Sequence, residues 1–301
     1  MQSRRKLVYP ILCSVFIFAF LSVTWGGEIS KGKFYVVGTG PAGPENITLK
    51  ALEIIKMADF ILCSKEHSGP FLKYFKGEII EDVFDWLWQY KGKSFKDLNE
   101  EEVEEYLVFR DKKANALVEK IREKVNQGHN VVLLEGGEPN IFSQCHFIIE
   151  RYGSDEVEIV PGMNSFCAAN AAIGKSIIPA YDSQFVVLTA PFLISDNMLE
   201  SIAPFSPTVI VYMGMDLLGD LIRKFKRYFP GYTPVAIVCH AGFESKEKII
   251  RGSLDNICDK AGSNNDFMCL IYIGRAVVGK PFTTFQEGLS IYLRRNKFFD
   301  E

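Results

Sequence analysis

With 301 residues, 48% of them hydrophobic and 24% charged, the chain is long enough for two ordinary domains, which excludes intrinsic disorder and a disulfide-stapled miniprotein. Thirty-four Lys and Arg against 37 Asp and Glu leave a net charge of −3. That is the wrong sign for a protein that tracks nucleic acid by neutralising phosphates, so no nucleic-acid partner is expected.

Arg4, Arg5 and Lys6 precede an uncharged run over 7–27 rich in Leu, Ile, Val and Phe. A cationic end followed by an apolar run is the pattern of a signal peptide or membrane anchor, here assigned to residues 1–27, with Thr24 and Gly26 as small residues near a cleavage point. Removing those three cations takes the remainder from −3 to −6. The positive-inside rule then predicts a membrane-anchored or exported body on the periplasmic side, with membrane contact through the N-terminal segment if it is uncleaved.

Past residue 32, β-rich runs alternate with helical stretches, which predicts α/β layers with largely parallel pairing. A strand at 34–37 enters the turn Gly38-Thr39-Gly40-Pro41-Ala42-Gly43. A helix follows, with Leu49, Leu52, Ile55 and Ala58 at helical spacing, and then a strand at 60–63. The aromatic stretch 85–98 carries Trp86, Trp88 and Tyr90 near Lys91, Lys93 and Lys96, and reads either as a packed surface loop or as a substrate wall. Asn99 and Glu102 have the spacing of a capping box for a long charged helix ending near Asn126, with Gly128 beyond it. Its acidic run Glu100 to Glu105 reads as a solvated face.

A strand at 131–134 leads into Glu135-Gly136-Gly137-Glu138-Pro139, and another helix is expected after Ile141 and Phe142. The break at Gly153-Ser154-Asp155 divides the body into an N-terminal α/β domain, 33–153, and a C-terminal α/β domain, 157–301. Strands of the second are expected at 157–160, 185–188, 208–212, 234–239, 248–251 and 268–273. The cysteines after residue 27, Cys63, Cys145, Cys167, Cys239, Cys258 and Cys269, sit singly in apolar surroundings without a C-x-x-C pair, and read as buried free thiols with no metal site, disulfides of unreadable connectivity being the alternative in an exported protein.

The turn at Gly38 to Gly43 fits G-x-G-x-x-G between a strand and a helix, yet the next strand ends Leu62-Cys63-Ser64-Lys65 without the acid that would hold a ribose. Pro41 also has no amide hydrogen to offer a phosphate, so a dinucleotide site is disfavoured. Five turns taken together are more informative, because a ligand at the carboxyl ends of strands is contacted by several of them. They are Gly38 to Pro44, Gly136 to Pro139, Pro161 to Ser165, Tyr212-Met213-Gly214, and Cys239-His240-Ala241-Gly242.

Those turns carry a resemblance. Val36-Val37-Gly38-Thr39-Gly40-Pro41-Ala42-Gly43-Pro44, running on to Ala58-Asp59, is similar to the opening signature of the tetrapyrrole (corrin and porphyrin) methylases. The likeness continues through Gly136-Gly137-Glu138-Pro139-Asn140-Ile141-Phe142-Ser143, Val160-Pro161-Gly162-Met163-Asn164-Ser165, Val211-Tyr212-Met213-Gly214 and Thr233-Pro234-Val235-Ala236-Ile237-Val238. It implies two α/β domains with a cofactor cleft between them and S-adenosyl-L-methionine as cofactor. It also implies a tetrapyrrole or related small-molecule acceptor, and a homodimer.

Carried over residue by residue, the cofactor contacts implied are Pro41, Gly136, Gly137, Glu138, Ile141, Asn164, Ser165, Met213 and Ala241. A glycine pair lets backbone approach the methionine end, an acid can meet the α-amino group, and Ile141 and Met213 can enclose adenine. The sequence departs from the family at four places: Glu138 for the usual aspartate, Ser64 where porphyrinogen-methylating members carry an acid, Thr189-Ala190-Pro191 where many carry glycine and histidine, and Ala241 for glycine. No general base is identified, and a non-catalytic tetrapyrrole-binding module is the alternative expectation. Lys65 and His67 lie at a strand end where they meet an acidic substrate or merely solvent.

Overall fold

The computed structural model describes residues 31–64, 69–83, 85–177 and 185–278, with the side chain of residue 96 left aside. The N-terminal segment and the pair Lys65 and His67 lie outside the described residues. Among the described residues no helix is long and apolar enough to cross a membrane. The anchor expected over 1–27 finds no membrane-crossing helix to support it among the described residues, and the membrane-anchored or exported placement is corrected.

Twelve strands and seven α-helices are described in chain order. They are β1 (Phe34–Gly38), α1 (Leu49–Met57), β2 (Phe60–Leu62), β3 (Glu78–Glu81), β4 (Gln89–Tyr90), β5 (Lys93–Ser94), α2 (Glu100–Asn126), β6 (Val131–Glu135), α3 (His146–Tyr152) and β7 (Val157–Val160). There follow α4 (Ser165–Ile173), β8 (Val186–Thr189), α5 (Asp196–Ile202), β9 (Thr208–Tyr212), α6 (Leu218–Phe225), β10 (Pro234–Cys239), β11 (Lys248–Ser253), α7 (Ile257–Ala261) and β12 (Cys269–Ile273).

The first sheet has the order β3-β2-β6-β1-β7 and is parallel throughout. Residues of β1 and β6 alternate between its faces: Phe34, Val36, Val131 and Leu133 pack toward α2 and α3, whereas Tyr35, Val37, Val132 and Leu134 pack toward α1. Both faces are covered, which is why these strands read as continuous apolar runs. The helix α1 buries Ala51, Ile54 and Ile55, a stripe continued by Ala58, and leaves Leu49 exposed. Its buried face is thus turned from the one the spacing of Leu49 and Leu52 predicts. β7, expected to open the second domain, pairs with β1, so the change of sheet falls after Val160.

The second sheet, β11-β10-β12-β9-β8, corrects the expectation of largely parallel pairing. Only β8 and β9 run parallel; β10 is antiparallel to both neighbours, and β12 to β9. The link from β10 to β11, residues 240–247, is too short for a crossover helix and forces the chain to turn back. One face buries Val209, Val235, Ile237 and Ile271 beneath α6 and α7, and the other buries Ile210, Ala236, Leu270 and Tyr272 against α4.

Antiparallel pairing also sets Cys239 directly opposite Cys269, and the two form a disulfide. The reading of all cysteines as free thiols fails for this pair, because the partners stand 30 residues apart in sequence and only register brings them together. Cys63 and Cys145 are buried and outside any disulfide, as expected, whereas Cys167 is exposed. The stretch 85–98 is a packed hairpin. Tyr90 lies against Tyr106 and Phe109 of α2, Lys91 and Lys93 pair with Glu105 and Glu102, and the Asn99–Glu102 capping box closes below them. The acidic run of α2 therefore holds the hairpin as well as meeting solvent.

Candidate functional site

Three loops meet at the carboxyl end of the first sheet with no room between their backbones. Thr39 N–H donates to the Glu135 carbonyl at 2.9 Å, and Gly40 and Gly137 exchange backbone hydrogen bonds of 3.3 and 3.1 Å. A Cβ on Gly38 would sit 2.5 Å from Gly162 N and 2.7 Å from Gly137 O. One on Gly162 would overlap Gly137 O and lie 2.7 Å from the carbonyl carbon of Gly38. Glycine is needed at both positions because backbone packs on backbone. Gly40 and Gly137, at φ +73° and +79°, need it for their left-handed conformation as well.

Glu138 ties these loops together. Its Oε2 accepts from Gly162 N–H at 3.0 Å, and its Oε1 from Asn140 backbone and side-chain N–H groups at 3.1 and 3.2 Å. The extra methylene relative to aspartate lets the carboxylate reach across to the loop after β7. An amino group arriving here would share oxygens already committed to that contact.

A second layer is apolar. Ile141 and Phe142 from the loop after β6, Met163 after β7, Met213 after β9 and Ala241 after β10 all belong to the cluster on the α4 face of the second sheet. Ile141 and Met213 are only partly buried. Ala42, Phe142, Met213 and His240 all have positive φ between +51° and +68°, each in a loop that follows a strand. Left-handed backbone at non-glycine residues costs free energy and concentrates where loops are shaped for a ligand.

The expected contacts thus fall into groups. Gly136, Gly137 and Glu138 form the glycine layer. Pro41 borders it, its carbonyl accepting from Asn46 Nδ2 at 3.1 Å. Ile141, Met213 and Ala241 share the apolar cluster. Asn164 caps α4, its Oδ1 accepting from Phe166 N–H at 2.9 Å, and Ser165 is the first residue of that helix. An added Cβ on Gly242 would lie 3.0 Å from Asn46 Nδ2 and 3.5 Å from Ala42 Cβ, so the loops after β1 and β10 are also neighbours.

Sequence reasoning passed over three groups at the same strand ends. Glu135, the last residue of β6, is 4% exposed. Its Oε1 accepts from Gln144 N–H at 3.1 Å, the Cys145 thiol also hydrogen-bonds the carboxyl, and burial pushes the group above its usual range. The signal was an acid ending an otherwise apolar strand. Tyr212, whose phenol burial raises to about 12, donates to Asn164 Oδ1 at 2.6 Å. His240 Nε2 lies 2.5 Å from Asp266 Oδ2, a pairing across 26 residues that no local pattern reveals.

Residues 33–258 match the family model of the Tetrapyrrole (Corrin/Porphyrin) Methylases. The cobalt-precorrin-4 C(11)-methyltransferase of Methanocaldococcus jannaschii is 29% identical over 243 residues, covering 76% of this chain and 81% of that protein. The solved structure of a cobalt precorrin-4 methyltransferase superposes with a TM-score of 0.64 at 23% identity, over 83% of this chain and 97% of that one. A uroporphyrin-III C-methyltransferase of Thermus thermophilus, complexed with S-adenosyl homocysteine, superposes with a TM-score of 0.56 at 22% identity, over 82% and 99%.

The chain belongs to the tetrapyrrole (corrin/porphyrin) methylases. It is an S-adenosylmethionine-dependent methyltransferase, and the expectation of catalysis stands. Membership also bears on the exported or membrane-anchored placement already corrected, because the matching relatives are methyltransferases of this family over the length of the body.

Proposed function

We propose that the protein transfers a methyl group from S-adenosylmethionine to a tetrapyrrole of the corrin and porphyrin precursor class. In this reading the cofactor lies among Pro41, Gly136, Gly137, Glu138, Ile141, Asn164, Ser165, Met213 and Ala241, between an N-terminal and a C-terminal lobe, and the working unit is a homodimer. The observation that carries it is convergence: five loops from two sheets are joined through the Gly38, Gly137 and Gly162 contact and through one apolar cluster.

The residues fit the group. Backbone without side chains suits close approach to the amino-acid end, Glu138 supplies a carboxylate beside it, and half-buried Ile141 and Met213 offer apolar surface to a planar base. The bound sulfonium supplies an electrophilic methyl group. The protein's own contribution is to hold the acceptor in line with it and to exclude water, so positioning outweighs any single acid or base. Where the acceptor must lose a proton, Thr189-Ala190-Pro191 offers no imidazole to take it.

Calorimetry of the full chain with S-adenosylhomocysteine, followed by transfer of labelled methyl to uroporphyrinogen III and to cobalt-precorrin-4, tests the reading. Saturable binding with incorporation into one acceptor is expected. Porphyrin binding without binding of S-adenosylhomocysteine would instead point to a carrier that kept the fold and lost the chemistry.

A further inference from the structure

The hydrogen-bond network beneath the apolar cluster fixes the orientation of one side-chain amide. Asn164 Oδ1 receives two donors, the backbone N–H of Phe166 at 2.9 Å and the hydroxyl of Tyr212 at 2.6 Å. A backbone N–H can only donate, so the atom it faces is the amide oxygen, and the amide has a single satisfied orientation. The opposite end of the side chain is therefore the NH2 group. It donates to no described residue, and although Asn164 is only 7% exposed, this nitrogen is not among the buried atoms left without a partner. It therefore keeps accessible surface, on the loop that brings Met163 to the apolar cluster.

Tyr212 is built to keep that orientation. It ends β9 directly before Met213, is itself buried, and its ring lies 5.0 Å from that of Phe142. The Ser165 side chain also hydrogen-bonds the phenol. A second tyrosine steadies the helix that Asn164 caps: the hydroxyl of Tyr272 on β12 stands 2.9 Å from Asn170 Oδ1 and 3.1 Å from the Phe166 carbonyl. With the phenol pushed to about 12 by burial, Tyr212 remains a donor across the neutral range.

We infer that Tyr212 is a positioning residue: it holds the Asn164 amide so that the NH2 group presents a hydrogen-bond donor to the cofactor, and the cofactor atom received there is an acceptor. This rests on the reading that the loop 161–165 borders the cofactor. It adds which end of Asn164 acts, what polarity the ligand must offer, and which residue outside the contact sets it.

The test is calorimetry of the full chain with S-adenosylhomocysteine for Asn164→Asp, Asn164→Ala and Tyr212→Phe, with a thermal melt of each. Aspartate keeps the oxygen that caps α4 and accepts from Tyr212; it exchanges the NH2 group for a second acceptor and adds a charge at a helix N-terminus, where a carboxylate is a favoured cap. Asn164→Asp should fold with an unchanged melt and bind about tenfold or more weakly, the worth of one well-placed hydrogen bond. Tyr212→Phe should weaken binding and raise the cofactor KM with little change in kcat. Combined with Asn164→Ala it should add nothing to the single alanine variant, since both act through the same amide.

Native-like binding by Asn164→Asp, with Asn164→Ala weakened, would overturn the donor assignment and leave the location of the cofactor intact. Native-like binding by Tyr212→Phe would overturn the positioning role. Native-like binding by Asn164→Ala would overturn the location itself. If the phenylalanine variant melts early, its affinity measured well below its midpoint, alone and combined with Asn164→Ala, still decides the positioning role, and Asn164→Asp decides the polarity.

Discussion

The two five-stranded sheets of this protein reach the same width by different rules, and the difference separates what holds the site from what closes it. The first sheet is wholly parallel, so β1, β6 and β7 deliver their loops to one end, where glycine backbone packs on glycine backbone. In the second sheet antiparallel pairs dominate, and a register-dependent disulfide links β10 to β12 just before the His240 to Gly242 turn. Contact distance sets the geometry of the first set of loops. Side-chain packing around Ile141, Met213 and Ala241 sets that of the second. At Gly38 and Gly162 the first arrangement tolerates no added atom, whereas the second tolerates exchange among residues of similar volume.

That contrast breaks most readily at Gly162. Replacement by alanine drives a Cβ into the Gly137 carbonyl and the backbone of Gly38, with no flexible side chain to yield. A loss of more than about 3 kcal/mol in unfolding free energy is expected, together with loss of S-adenosylhomocysteine binding. Gly219, inside α6 with nothing within 4 Å of an added Cβ, is the control: alanine there should be neutral or stabilise by about 0.5–1 kcal/mol. Urea melts of the two variants check the pair, and equal behaviour would mean that the glycine layer is not held by contact.

The disulfide comes next. Replacing Cys239 and Cys269 together by alanine, which leaves no thiol to reoxidise, should cost about 2–4 kcal/mol. Amide exchange should rise in β10 and β12 more than in β1 and β6. Equal loss of protection in both sheets would show that the molecule unfolds as one cooperative unit and would erase the distinction at the level of stability.

A smaller effect is expected at the first sheet's long helix. The Asn99 side chain accepts from Glu102 N–H at 2.9 Å, and the Glu102 side chain accepts from Asn99 N–H at 3.1 Å. Asn99→Ala should cost about 1 kcal/mol, read in a chemical melt, and should leave cofactor affinity unchanged because the cap lies away from the loops.

How much of this was legible follows from the range of the forces involved. The strands β1, β6, β9 and β10, the capping box and the five strand-end turns are written in consecutive residues, so period, cap chemistry and glycine placement revealed them. The Cys239 to Cys269 link, the antiparallel second sheet and the transfer of β7 to the first sheet depend on partners chosen at a distance. The role of Glu138 shows the same limit inside a motif. Its residue type suggests an amino-group partner, yet its reach to Gly162 exists only once β6 and β7 lie on either side of β1. Tyr212 and His240 were visible as residues and silent as partners, because Asn164 and Asp266 are brought to them by the fold.

Glu135 gives the subtlest test of the first sheet's rigidity, since it buries a carboxyl where the loops leave no space to hydrate it. Burial raises this group above its ordinary 4.5, against the hydrogen bonds from Gln144 N–H and the Cys145 thiol, which lower it. A carboxylic acid with a raised folded-state value binds more protons when folded than when unfolded between the two values. The stability it contributes is therefore complete below about 4.5 and declines as pH rises through the window above it. Glu135→Gln keeps an oxygen for Gln144 N–H and carries no charge, so the variant should lose that decline and should equal or exceed the native protein at neutral pH. Urea melts from pH 4 to pH 8 check this. A native profile unchanged by the substitution would mean that the loop opens enough to hydrate the carboxylate, and that the tight backbone contacts of the first sheet end one residue short of Glu135.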